Sequence, residues 1–357
     1  MKLLMTCDAV GGVWQYANAL ADALTGQGVE VLLAVLGPAP DPSLPRPAGV
    51  RVVETGLPLD WLASGPDEVL RAGRAIAALS DEHRVDMIHL NSPALAAAGP
   101  FPAPVVAVAH GCVGTWWAAA NGTEPDPAYA WHGELMRAGL LAADAVVAPS
   151  AAYAATVQRH YALPSLPIAV HNGRTPLALP GEGQADHVLT AGRLWDRVKN
   201  TDLLDQVASR LSVSFRAAGP IAAPHGETVA PRHLALLGAL SEDALTAEYA
   251  ARPIFVSAAR FEPFGLAVLE AAQAGCPLVL SGIDTFRELW TGAALFVPDD
   301  TPEAYLAALD RVRTEPGLRE HLSEAARLRA ARYTPAAAAA AMLDIYRSLR
   351  PEARRAA

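Results

Sequence analysis

The chain has 357 residues, 52% of them hydrophobic and 18% charged. That is too long for one ordinary core and too apolar for a disordered chain, so two domains of roughly 150–200 residues are expected. The net charge is −9, with 7 Lys+Arg against 15 Asp+Glu in residues 1–150 and 21 against 22 beyond, which disfavours nucleic acid or an anionic lipid surface as partner.

The three cysteines, Cys7, Cys112 and Cys276, are scattered, odd in number and without metal-ligand spacing. They fit thiols in a reducing compartment, so a cytoplasmic location is expected. Met1–Thr6 only begins a short apolar run ended by Asp8, so no signal peptide is expected. Residues 87–123 carry no Asp, Glu, Lys or Arg, but Pro93, Pro100, Pro102 and Pro104 interrupt them. A membrane span needs about 20 apolar residues without such breaks, so this stretch reads as loops around one buried strand. Peripheral contact with a membrane stays open.

In chain order, Leu3–Thr6 reads as a strand, Asp8–Gly12 as a loop and Trp14 to about Thr25 as a helix with Tyr16, Leu20 and Leu24 on one side. Val29–Leu36 follows as a strand, and a β-loop-α-β unit implies a parallel sheet. Further buried strands are expected at Val85–Asn91, Pro104–His110, Ala143–Ser150 and Ser165–Gly173. Residues 174–186 are rich in Pro and Gly without periodicity and read as an inter-domain linker. A second series then begins: strand His187–Leu194, helix Asn200–Leu211, strand Ser212–Gly219, helix Glu242–Ala251, strand Pro253–Ala259 and helix Gly265–Ala274. Strands Cys276–Gly282 and Ala293–Asp300 and a helical tail from about Pro302 to Arg350 complete it. The class is α/β, with Rossmann-like lobes at 1–173 and 187–335 and a terminal segment at 336–357. No repeat of fixed period is evident.

Within "ARFEPFGLAVLEAAQAGCPLVLS", Glu262 and Glu270 stand eight apart in an otherwise apolar run. The run follows the strand Pro253–Ala259, and in open α/β sheets ligands bind at the carboxyl ends of strands. Glu262 lies in the loop and Glu270 on the helix that Gly265 starts. A helix start offers free N–H groups and a partial positive charge, suited to phosphate. The two carboxylates can accept hydrogen bonds from hydroxyls on different parts of one elongated ligand. Lysine occurs only at Lys2 and Lys199, against 26 arginines. Gly11 and Gly12 follow the first strand, where glycines permit close backbone approach.

"FEPFGLAVLEA" resembles the E-x7-E signature of retaining glycosyltransferases of the GT4 family, which have the GT-B fold. Four further segments stand in that family's order: "DAVGGVWQYANALADAL", "AHG" at Ala109–Gly111, "HNG" at His171–Gly173 and "AGRLWDRVKN" at Ala191–Asn200. "ARYTPAAAAAAMLDIYRSL" resembles the family's last helix, which crosses back to the first lobe. The resemblance spans nearly the whole chain.

It implies two lobes facing across a cleft and transfer of a sugar from a nucleotide diphosphate donor, with retention at the anomeric carbon. It places Arg193 and Lys199 on the donor diphosphate, with Gly11, Gly12 and the backbone N–H groups of Phe264, Gly265 and Leu266. It places Glu262 near the sugar hydroxyls, Glu270 on the ribose and His110 on the donor sugar at the reacting centre. The base falls near Gly238, Ala239 and Leu240. Arg197 is expected to face solvent. No two aspartates are spaced i, i+2, so a GT-A-type metal motif is missing and neither metal nor other cofactor is expected. The acceptor, a saccharide or small molecule, is expected near Trp14, Trp116 and Trp117, whose faces suit sugar rings or apolar groups.

The sequence departs from the family in three places. "HNGRT" lacks an acidic residue often found after that motif, Lys199-Asn200 replaces a frequent Lys-Gly, and 219–232 holds three prolines without periodicity. Two alternatives remain at this level: a nucleotide-sugar epimerase on the same architecture, and a non-catalytic nucleotide-sugar-binding protein.

Overall fold

The structure is a computed structural model that describes residues 1–9, 11–40, 47, 49–123, 125–176, 183–224 and 226–350. Val10 of the glycine loop, 177–182 of the expected linker, His225 of the proline-rich stretch and 351–357 of the expected terminal segment lie outside these. The chain divides into two compact units, Met1–Thr175 with Thr334–Ala357, and Pro176–Tyr333.

The first unit contains β1 (Lys2–Asp8), α1 (Gly12–Thr25), β2 (Glu30–Leu36), β3 (Arg51–Glu54), α2 (Pro66–Glu82), β4 (Met87–Leu90) and β5 (Val105–Val108). These are followed by α3 (Val113–Asn121), α4 (Ala130–Ala142), β6 (Ala145–Ala148), α5 (Ala151–Tyr161) and β7 (Ile168–Ala169). The sheet order is β3-β2-β1-β4-β5-β6-β7, with every pair parallel. Its central strands are buried on both faces, which is why they read as unbroken apolar runs. The order reverses between β1 and β4, so the chain leaves the two strands in opposite directions and opens a crevice at their carboxyl ends.

The second unit contains β8 (Val188–Ala191), α6 (Thr201–Ala208), β9 (Phe215–Ala218), β10 (Ala235–Gly238), α7 (Glu242–Ala250), β11 (Ile254–Ser257) and α8 (Leu266–Gln273). Then come β12 (Leu278–Ser281), α9 (Asp284–Trp290), β13 (Leu295–Val297), α10 (Pro302–Thr314) and α11 (Leu318–Ala330). Its parallel sheet runs β10-β9-β8-β11-β12-β13, and the order reverses between β8 and β11. Both units are thus Rossmann-like.

Residues 87–123 need a correction. β4 and β5 fall within the expected strands Val85–Asn91 and Pro104–His110, but the rest of the stretch is not all loop, because α3 closes it. The helix escaped notice because it has no charged face to set against its apolar one. α4 escaped for a related reason. Gly139 sits where α4 crosses the Pro93 turn, and a Cβ there would lie 1.9 Å from the Pro93 carbonyl oxygen. A residue that reads as a helix breaker is therefore required by helix packing.

The helical tail is three helices. Gly317, at φ +74°, separates α10 from α11, and Thr334 caps α12 (Pro335–Leu349) by accepting from the Ala337 N–H at 3.1 Å. α12 belongs to the first unit, where Met342, Leu343 and Tyr346 join Tyr16, Leu20 and Leu24 of α1 in one core. Met342 is fully buried. Met342→Ala should therefore cost about 2–5 kcal/mol in urea unfolding, as a core truncation does. A loss below about 1 kcal/mol would mean that α12 is a loosely attached tail.

Candidate active site

In the second unit the site grows from the carboxyl ends of β8 and β11. After β8 the chain turns at Gly192, with φ +148°. Gly219, at the end of β9, approaches so closely that a Cβ there would lie 1.7 Å from the Gly192 carbonyl oxygen. Only a glycine at 219 lets the two strand ends come together.

The loop that follows is held from inside. Asp196 is 2% exposed; its carboxylate accepts from the Val198 N–H at 3.3 Å and caps the 3-10 turn Arg197–Lys199. The same carboxylate accepts from Arg193 Nη2 at 2.9 Å, and the Arg193 guanidinium lies 5.5 Å from the centre of the Trp195 ring. Thr201 donates its hydroxyl to the Leu194 carbonyl at 2.5 Å, tying the loop to α6. Arg197 points outward, near Glu227.

The loop after β11 is pinned to this turn. The Arg260 N–H donates to the Val198 carbonyl at 2.8 Å. Asn200 Nδ2 and Arg260 Nε both donate to Asp300, each at 2.6 Å. These contacts bring Lys199 Nζ onto the carboxylate of Glu262 as an ion pair, both side chains being largely buried yet reachable. Lys199 and Glu262 line one pocket with Gly192, Thr190, Ser257 and Val268.

Gly265 adopts φ +94° at the start of α8, a conformation that disfavours any residue with a Cβ. It turns the chain so that Gly265 and Leu266 open the helix beside Glu262. Glu270 is on α8 and 6% exposed. Phe264 is buried, edge-on to Tyr333 at 5.7 Å. The structure thus joins Lys199 and Glu262 in one pocket. Arg193, Glu270 and Gly238–Leu240 do not line that pocket. Gly238 and Ala239 are exposed at the end of β10, and Gly238 accepts from the Gly219 N–H at 2.8 Å.

In the first unit the expected residues also sit at strand ends. Gly11 caps α1 in extended conformation and its carbonyl accepts from the Trp14 N–H at 3.2 Å; Gly12 is exposed. His110 follows β5, with its ring edge-on to Tyr16 at 4.3 Å. Its Nε2 lies 2.8 Å from Asn91 Oδ1, the same oxygen that His89 Nε2 approaches at 2.9 Å. Burial pushes the pKa of His89 down to about 4; burial and then the neighbouring His89 push that of His110 down to about 3.

Trp14 needs a correction. It is 3% exposed and packed in the core with Ala17, Ala21 and Leu24, so its ring is closed to an acceptor. Trp116 and Trp117 are half-buried, with ring centres 6.4 Å apart, and Trp117 lies 5.8 Å from Tyr129. A second small pocket is lined by Asp60, Cys112, Trp131 and His132 among others, and by neither of these tryptophans. Asn91 is the residue that sequence reading passed over. The signal was available: it closes the strand that carries His89, beside the switch point.

Comparisons with known proteins bear on the family and the fold. Residues 10–174 match the family model "Glycosyltransferase Family 4" and residues 227–329 match "Glycosyl transferases group 1". The chain belongs to the GT4-type glycosyltransferases. A D-inositol 3-phosphate glycosyltransferase of Streptomyces bingchenggensis (strain BCW-1) is 29% identical over 268 residues. That match covers 64% of this chain and 58% of the relative's length. Sucrose-phosphate synthase from Thermosynechococcus elongatus superposes with TM-score 0.82 at 20% identity, covering 98% of this chain and 99% of that one. Anabaena HepE, solved with UDP-glucose, gives 0.74 at 16% identity, covering 98% and 100%. The fold is therefore that of GT-B glycosyltransferases. Among the described residues no helix is long and apolar enough to cross a membrane.

The buried histidines make a pH prediction. In the unfolded chain they titrate near 6.5, so the folded state binds fewer protons below that value. Their contribution is full above about pH 6.5 and lost as pH falls towards the folded values. His89 alone accounts for about 3 kcal/mol between pH 6.5 and 4. The melting temperature should be level near pH 7–8 and fall steeply below about 6, and His89→Gln should flatten that fall. An unchanged slope in the variant would contradict the burial argument.

Proposed function

We propose that the protein moves a sugar from a nucleotide diphosphate sugar to a hydroxyl of a saccharide or small-molecule acceptor, with retention at the anomeric carbon and without a metal. The observation that carries this reading is the Lys199–Glu262 pair at the switch point of the second sheet. A cation and a carboxylate side by side suit a ligand with an anionic diphosphate next to a hydroxyl-bearing sugar.

In this reading the Lys199 ammonium and the Arg193 guanidinium take the diphosphate, and the first N–H groups of α8 at Gly265 and Leu266 add uncharged donors. The charge that builds on the leaving diphosphate in the transition state then meets fixed positive groups. Glu262, freed from Lys199 as the phosphate arrives, accepts from sugar hydroxyls, while Glu270 accepts from the ribose and Phe264 contributes its backbone N–H. Gly238 and Ala239, which are exposed, and half-buried Leu240 offer backbone groups to the base. In the first unit Gly11 and Gly12 give N–H groups to the phosphates, and His110 bonds the transferred sugar. Trp116 and Trp117 present ring faces to the acceptor. A phosphate oxygen of the leaving group takes the acceptor's proton on the face it leaves, which accounts for retention without a covalent role for Glu262. UDP-glucose bound to HepE favours a UDP-sugar among possible donors.

The test is to incubate purified protein, with chelator, with UDP-, GDP- and ADP-sugars and follow nucleoside diphosphate release by mass spectrometry. One donor should hydrolyse slowly, and Lys199→Ala should reduce that release by about 100-fold or more, with Glu262→Ala also impaired. Formation of an isomeric sugar nucleotide would instead make the protein an epimerase. Absence of both turnover and binding with every donor would refute the site.

A further inference from the structure

A hydrogen-bonded chain runs from the C-terminal helix to His110 inside the first unit, and its members have assignable proton positions. Asn91 is gripped by β1: its N–H donates to Thr6 Oγ1 at 2.9 Å, and its Nδ2 donates to the Thr6 carbonyl at 2.6 Å. The carbonyl only accepts, so the amide cannot be turned over without setting two oxygens against each other. Oδ1 therefore faces the histidines as an acceptor with two lone pairs. His89 Nε2 and His110 Nε2 lie 2.9 and 2.8 Å away, one for each. Both nitrogens must carry the proton.

The far end obeys the same logic. With Nε2 protonated, neutral His89 has its lone pair on Nδ1, and the Tyr346 hydroxyl donates to it at 2.6 Å. His89 and Tyr346 are at most 1% exposed, so this bond is made away from water. Tyr16 stands edge-on to the His110 ring and restricts its rotation. Among the described residues His110 hydrogen-bonds through Nε2 to Asn91, and its Nδ1 has no partner.

We propose that Asn91 is a positioning residue that locks His110 as the neutral Nε2–H tautomer, so that Nδ1 can only accept a hydrogen bond from a hydroxyl of the transferred sugar. This rests on the transferase reading for the identity of the hydroxyl, and on the network alone for the tautomer. A His110 free to choose would offer N–H or lone pair in turn, and a sugar hydroxyl would meet the correct form only part of the time.

The experiment is nitrogen-15 NMR of the histidine side chains in the full chain, with kinetics on the same variants. The wild type should show a pyridine-like Nδ1 and a pyrrole-like Nε2 for His110 at neutral pH. Asn91→Leu should lose that pattern and reduce kcat about tenfold, the loss of one hydrogen bond at the reacting sugar, with little change in donor KM. A wild-type Nδ1–H tautomer, or a pattern unchanged in Asn91→Leu, would overturn the proposal. So would a changed tautomer with an unchanged kcat. If no variant, wild type included, turned over any donor, the transferase reading would fail, and the nitrogen shifts would still decide whether Asn91 sets the tautomer.

Discussion

Parallel pairing is the constraint on which both units depend. A parallel strand must be followed by a crossover, so every strand delivers its carboxyl end to the same edge of the sheet. Where the order reverses, the crossovers on either side part and leave a gap. In the second unit that gap lies between β8 and β11, segments some sixty residues apart, and Lys199 and Glu262 meet there. In the first it lies between β1 and β4, and Asn91 bridges it by bonding both backbone and side chain of Thr6. Each candidate group is thus placed by sheet topology first and by local contacts second.

The local contacts differ in kind between the units. The second uses charge: buried Asp196 orders a loop and holds Arg193, while Asp300 joins Asn200 to Arg260. The first uses neutral groups, because Asn91, His89 and Tyr346 satisfy one another where an ion would be costly to bury. A charged loop suits an anionic ligand, and a neutral network suits orientation of a single imidazole. In both, several hydrogen bonds hold the candidate groups in place, as a site that must position reacting groups requires.

Much of this was legible in the residues. Strands such as β1, β2 and β12 are buried on both faces and declare themselves as apolar runs, and Glu262 and Lys199 stand out at their ends. What was hidden has physical reasons. β3 is short and partly exposed, so its pattern is weak, and β7 lies within the expected Ser165–Gly173 but is two residues long and exposed where a buried strand was expected. α3 and α4 contain glycines that serve packing, not turns. Trp14 follows a glycine loop but shares its helix face with Ala17, Ala21 and Leu24, and that spacing points it to the core. The Lys199–Glu262 contact spans 63 residues, and only sheet order brings it about. Asn91 looked like the polar end of a strand; its bonds to Thr6 on β1 and to His110 after β5 become visible only when the chain is folded.

The central claim is that the β8–β11 switch point binds the donor diphosphate. A crystal structure of the full chain with a nucleotide diphosphate sugar tests it most directly. The account predicts phosphate oxygens within hydrogen-bond reach of Lys199 Nζ, the Arg193 guanidinium and the first N–H groups of α8, with Glu262 turned from the lysine to the sugar. A nucleotide bound elsewhere, with Lys199 still paired to Glu262, would contradict it.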